Sequence, residues 1–356
     1  MKHLSKWQVT SMAAAAVVIV VALLFLWSAA GAWRVDSAVR QLKRSDPSTH
    51  EAAIARLASL RGQRDLRRLV WHLGDDDPAV RERVARALVA IGDPAIEAAA
   101  DEAQSQLTLP TDRWDTIVRG LHAQDWFRDR SDEDRRARLR DALMELFPRF
   151  GRRAAPTIMA MFCRTGPRDA VIRTIAAGSL GQLGDAKCFE TALTAVHDPE
   201  EGVRIFAVWG LGKSADARAI EPLLGAMDAG RGLVMNIFAA NALAGFSSDP
   251  RVAAMLIKWL SATWCFGPTR AAAAKSLGFS TDPRALDALI ARIGDSNSQV
   301  RDSVVDALVR LPDSRKQGAL VAALRSGDEA MCTGTRRALA RIESSGAQVE
   351  STEAAE

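Results

Sequence analysis

A leucine preceded by a small residue returns at a nearly constant interval along this chain. The pairs are Ala87-Leu88, Ser179-Leu180, Gly210-Leu211, Ala242-Leu243, Ser276-Leu277, Ala307-Leu308 and Ala338-Leu339. Eight residues before each leucine stands an anchor: Val80, Ile172, Val203, Met235, Thr269, Val300 and Met331. From Ile172 onward the anchors are 31, 32, 34, 31 and 31 residues apart. Midway between anchor and leucine come Val84, Ala176, Ala207, Ala239, Ala273, Val304 and Thr335. At about 100° per residue these positions fall on one stripe of a helix, whereas a strand would scatter them over both faces. The small residue lets a neighbouring helix approach closely while the leucine fills the space beside it.

Thirteen residues after the anchor stands Asp93, Asp185, Asp216, Asp282 or Asp313, in a place to end one helix and cap the next. Pro94 and Pro283 follow where a first helical turn tolerates proline. A second short apolar helix is expected after each, as in 220–227, 252–260, 286–293 and 317–324. A single helix pair cannot bury its apolar stripe, so the pairs must stack. The expected fold class is therefore all-α: an α-solenoid of stacked helix pairs. Solenoids grow by adding units, so a length of 356 residues does not require several globular cores.

The pattern V-R-x-x-A-x-x-A-L followed by G-D-x-x-A-I-x-x-L resembles the HEAT-repeat family, and most closely its short, bilin lyase-like form. The resemblance covers roughly residues 46–342, with 107–150 divergent. It implies a structural ladder along the stack, in which the Arg after each anchor works with an Asp six residues upstream. Arg81 with Asp75, Arg204 with Asp198 and Arg301 with Asp295 match that spacing. Arg173 and Arg270 keep only the Arg, and Asn236 and Cys332 depart from it altogether.

Residues 1–12 form a polar N-terminal tail. Ala13 to Trp33 then gives 21 residues without a charge, long enough for a spanning helix of about 20 residues. We read it as an uncleaved transmembrane helix or signal anchor and residues 34–45 as a basic linker. The alternative is a secreted protein after signal cleavage at an A-x-A-like site, Ala30-Gly31-Ala32. The first reading makes the chain a single-pass membrane protein, and a short basic tail before the span places the repeats on the periplasmic or other extracytoplasmic side. Residues 343–356 are small, polar and acidic, and are expected to be disordered.

Nothing in the chain announces catalysis. The five histidines are not paired at ligand spacing. Hydroxylases of HEAT-like fold hold iron with several His-Glu dipeptides; only His50-Glu51 occurs here. Four cysteines show no CxxC arrangement, and no glycine-rich phosphate loop lies between helices. We therefore expect no metal, no cofactor and no enzyme activity. The 47 basic residues barely exceed the 43 acidic ones, so nucleic acid is not expected as a partner either.

What remains is a surface. Two, three and six residues after each anchor the side chains point away from the leucine stripe, and the resemblance places this face on the concave side of the array. Outer copies are polar there, with Glu82, Arg83 and Arg86, or Asp302, Ser303 and Asp306. Central copies are apolar: Ile175, then Phe206 and Trp209, then Phe238 beside Asn241. Two readings stand: extra core covered by tight curvature or a neighbouring loop, or a groove for an apolar or helical ligand, since contiguous exposed apolar surface marks binding sites. The expected function is a membrane-anchored, non-catalytic scaffold that binds another protein on its concave face. The alternative is a subunit or chaperone of a lyase-like enzyme. Trp259, Trp264 and Phe266 form a second, weaker apolar candidate.

Overall fold

The computed structural model describes residues 33–43, 47–107, 131–166, 169–228, 232–262, 265–325 and 328–353. Among these it is all helix, with eighteen α-helices and no strand. The chain divides into two units, Met1–Ile172 and Arg173–Glu356.

The first unit holds α1 (33–42), α2 (Pro47–Ala58), α3 (Gln63–Trp71), α4 (Pro78–Ile91), α5 (Asp93–Leu107), α6 (Ser131–Arg149) and α7 (Ala155–Phe162). Helix α4 shows why the boundaries fall where they do. Asp77 accepts a hydrogen bond from the Ala79 amide, Pro78 occupies the first turn, and Gly92 at φ 84° ends the helix. Helix α2 packs on α4 and α3 on α5, which makes two layers.

Helix α1 replaces the expected basic linker. Val35, Ala38, Val39 and Leu42 are spaced i, i+3, i+4, i+7 and are 2% exposed or less. Its polar face is tied down as well. Arg68 grips Asp36 with two bonds of 2.8 and 2.5 Å, and Arg83 donates to the Leu42 carbonyl. Trp33, expected to close a membrane span, is the first described residue of this helix.

The expectation of a single-pass membrane protein is corrected accordingly. Among the described residues no helix is long and apolar enough to cross a membrane. The rest of the expected span, 13–32, and the tail 1–12 lie outside the described residues. So does much of the divergent stretch, 108–130, while α6 follows it as a 19-residue helix.

The second unit begins within α8 (Ala170–Leu180). It continues through α9 (Ala186–Ala195), α10 (Glu201–Gly212), α11 (Ile220–Asp228), α12 (Leu233–Leu243) and α13 (Pro250–Ser261). It ends with α14 (Gly267–Leu277), α15 (Arg284–Ile290), α16 (Ser298–Arg310), α17 (Lys316–Ala323) and α18 (Glu329–Glu353). The even-numbered helices carry the anchors. From α10 to α18 each anchor helix packs on the next, and the helices between them form a second layer. Anchor, midway residue and leucine are buried from Ile172 to Leu308, at 1% exposure or less. In the Met331 repeat, Met331 and Leu339 are only half-buried.

The small residue before the leucine has the predicted consequence. A Cβ at Gly210 would run into the Gly178 carbonyl, and one at Gly278 would lie 2.8 Å from the Ala307 Cα. Backbones therefore touch across successive anchor helices. Asp185, Asp216, Asp282 and Asp313 each accept an amide bond at the start of the intervening helix, as expected. Asp93 instead lies inside α5 and meets Arg153 at 3.5 Å. Helix α18 runs on to Glu353, where a disordered tail was expected from 343.

Candidate functional site

Helices α10 and α12 place the expected binding residues, and they do not all share one fate. Ile175 on α8 is fully buried, so it belongs to the core. Phe206 and Trp209 on α10 and Phe238 on α12 are half-buried, and Asn241 is exposed. The Phe206 and Phe238 rings meet edge to face, with centroids 5.8 Å apart and planes at 65°. Ile237, Leu233 and Val234 extend the half-buried apolar surface along α12. Lys213, at the end of α10, holds its ammonium 5.7 Å from the Trp209 ring centroid. The face has apolar rings to contact and a charged rim, but no group poised for acid, base or nucleophilic work.

The same layer is different further along. Asp302 and Asp306 on α16 are taken by Arg337 and Arg341 from α18, the first at 2.8 Å. Phe279, 51% exposed, is covered on one side by the Arg310 guanidinium at 4.9 Å. Of the weaker candidate, Trp259 is buried and Phe266 is 68% exposed, while Trp264 lies outside the described residues.

The ladder is present, but its wiring differs from the expected pairing. Arg81, Arg204 and Arg301 donate to the backbone carbonyl of Asp75, Asp198 and Asp295, at 2.7, 2.8 and 2.8 Å. The carboxylates themselves face the preceding repeat. Arg173 pairs with Asp198, Arg270 with Asp295 at 2.8 Å, and Lys43 takes the corresponding place on Asp75. Arg173 and Arg270, which lack an acid in their own repeat, thus pair with the acid of the next one. For Asp75 and Asp295 burial pushes the carboxyl up, but the cation and a backbone amide outweigh it and hold each below its ordinary value. Asn236 breaks the series. It is buried, and its side-chain oxygen has no hydrogen-bond partner.

A second ladder escaped the reading of the sequence. Arg218, Arg251, Arg284 and Arg315 each stand two residues after a capping Asp and clasp it through the guanidinium. Each also reaches back one repeat, to Glu190, Glu221, the Pro250 carbonyl and the Pro283 carbonyl. The signal was an Asp-x-Arg recurring in four successive repeats.

In the first unit a cleft of about 410 Å³ is lined by Arg64, Arg67, Arg68, Trp71, Glu102 and Gln106. Its cations are already engaged: Arg67 with Glu102 at 3.0 Å and Arg68 with Asp36. Arg135 covers Trp71 at 4.8 Å. Among the described residues no three His, Cys, Asp or Glu side chains gather as metal ligands. All four cysteines are free, and burial raises the Cys188 thiol to about 11, far from a reactive thiolate.

A family model of HEAT repeats matches residues 35–115, 163–244, 234–309 and 254–341. No curated protein matches the chain significantly. Among solved structures, Kap121p bound to Pho4p is 14% identical at a TM-score of 0.52, covering 86% of this chain and 37% of that one. An engineered protein is 20% identical at a TM-score of 0.38, covering 87% and 88%. Human deoxyhypusine hydroxylase in complex with glycerol is 17% identical at a TM-score of 0.30, covering 89% and 99%. Identities this low speak to fold alone. None of these matches bears on the bilin lyase-like form or on a membrane anchor. The buried leucine stripe, the backbone contacts between anchor helices and a family match over more than half of the residues agree, and the chain belongs to the HEAT-repeat family.

Proposed function

We propose that this protein is a non-catalytic scaffold, and that a protein partner docks on the anchor-helix layer of the second unit across α10 and α12. HEAT solenoids are suited to protein binding because the stack presents one long continuous face. The observation that carries the reading is the Phe206–Phe238 ring pair with Trp209 beside it, left part-open in a layer whose far end is closed by charge pairs. Half-open aromatics of this kind are the usual anchors of an interface, where a few side chains carry most of the affinity. Kap121p bound to Pho4p is a solenoid of this fold holding a protein, which is consistent with such a role.

A photo-crosslinking amino acid at the exposed position 241 tests this. It should capture a discrete partner in cells, and Trp209→Ala should remove that adduct while leaving the melting temperature within a few degrees. A crosslinker at exposed Lys187, in the other layer, should not capture the same species. Equal capture from both positions, or capture indifferent to Trp209→Ala, would place the interface elsewhere.

A further inference from the structure

We infer that the partner segment seated on this face is acidic and inserts apolar side chains among Phe206, Trp209 and Phe238. The inference rests on the docking face proposed above and adds its charge. Helices α12 and α14 carry no carboxylate anywhere along their length. The sole acid of α10, Glu201, stands in its first turn, eight residues before Trp209 and so about 12 Å away along the axis. Against this, Lys213 is exposed beside Trp209, and Lys275 is exposed on α14 at the position that Trp209 holds on α10 and Asn241 on α12.

The acids nearby are already neutralised. Asp302 and Asp306 belong to Arg337 and Arg341. Asp216, Asp249 and Asp282 are clasped by their own arginines in the other layer. Arg310 donates its Nε–H to the Asp306 carbonyl and lays its guanidinium over the Phe279 ring. The charge remaining around the rings is therefore positive. Lys213 at the end of α10 lies on one side of the uncharged helix α12, and Lys275 on α14 and Arg310 on α16 lie on the other, so a segment lying across the stack meets them in turn. Charges at an exposed rim choose the partner and steer its approach, while the buried rings supply the hold.

Three synthetic amphipathic peptides test this on the full chain by titration calorimetry. All carry leucine at helical spacing; the remaining positions are Glu, Gln or Lys. At low salt the Glu peptide should bind at least about tenfold more tightly than the Lys peptide, with Gln between them. The spread should shrink as salt screens the rim. Reversing both Lys213→Glu and Lys275→Glu, at exposed positions that leave the fold alone, should invert the order. Asn241→Glu should weaken the Glu peptide several-fold and spare the Gln peptide. Equal affinities, or an order unmoved by the double reversal, would overturn the acidic assignment. The docking face would still stand in that case, provided Trp209→Ala weakens all three. Binding unaffected by Trp209→Ala, or no binding of any peptide, would overturn the docking face as well.

Discussion

Two junctions between anchor helices in the second unit use the same backbone packing and different side-chain chemistry. Between α14 and α16 lies a buried ion pair, Arg270 with Asp295, at side-chain exposures of 10% and 4%. Between α10 and α12 the acid of such a rung is missing, since Gly230 stands five residues before its anchor where Asp198 and Asp295 stand before theirs, and the Phe206 and Phe238 rings meet across this junction. Both junctions still close to backbone contact, at Gly278 against Ala307 and at Gly212 against Ala242. Helix stacking is thus set by small residues and buried leucines. The ion rungs adjust it, and the outward positions are left to vary with what the surface must hold.

The largest break in that comparison should come from Arg270→Ala. It strands the Asp295 carboxylate at 9% residue exposure, where removing one partner of a buried pair costs about 3 kcal/mol or more. The pH dependence follows from the same rung. The native Asp295 carboxyl titrates below its ordinary value of 3.8, so the stability it contributes is complete above that value and is lost as pH falls through the native pKa. Wild-type protein should therefore lose part of its denaturant midpoint as pH falls below about 4, and Arg270→Ala should lose less over that range. An unchanged acid limb in the variant would show that the rung is not coupled to folding.

Gly210→Ala should come next. The added methyl meets the Gly178 carbonyl, which is backbone and cannot swing aside. Overpacking of this kind costs about 1–3 kcal/mol, more than the helix propensity gained from alanine. The same substitution at Gly225, which has open space around its Cβ position, should be neutral or slightly stabilising. Chemical denaturation of the two variants separates close packing from propensity.

These positions also show what could be read from the sequence. The leucine stripe and its small neighbour were legible because burial there repeats with the helical period, and each copy reports on the others. The direction of the ladder was not. An Arg and an Asp at fixed spacing do not say whether the carboxylate serves its own repeat or faces back, and only packing decides that Arg173 reaches Asp198. Ile175 and Phe206 hold the same place in their repeats, yet one is buried and the other half-open, since burial depends on what lies above the helix. Helix α1 was readable: Val35, Ala38, Val39 and Leu42 carry the helical spacing, but Arg40 among them and Arg34, Lys43 and Arg44 beside them suggested a linker.

Asn236→Leu sharpens the comparison from the other side. A buried amide oxygen without a partner forfeits its hydration and gains no hydrogen bond in return. Replacing it with an apolar group of similar volume should stabilise the packing of α12 by about 1 kcal/mol. A higher melting temperature with unchanged partner binding would mean that the gap in the ladder is tolerated and not used. A higher melting temperature with weakened binding would mean that the partner needs α12 less tightly set.

The smallest effect is expected at the charged end of the layer. Arg337 and Asp302 lie 2.8 Å apart but are 51% and 58% exposed. Water and salt screen such a pair, so Arg337→Ala should move stability by no more than about 0.5 kcal/mol. Its value lies in what it uncovers. With Arg337 gone, Asp302 becomes an unbalanced negative charge on α16, within the layer where Lys213 and Lys275 set a positive rim. If that rim selects the partner, Arg337→Ala should slow association of the Glu peptide at low salt while leaving its dissociation rate and the melting temperature alone, because rim charges act on approach more than on hold. A change in dissociation instead would extend the contact surface as far as α16 and α18, and the division between an apolar docking half and a charge-sealed half would have to be redrawn around Phe279.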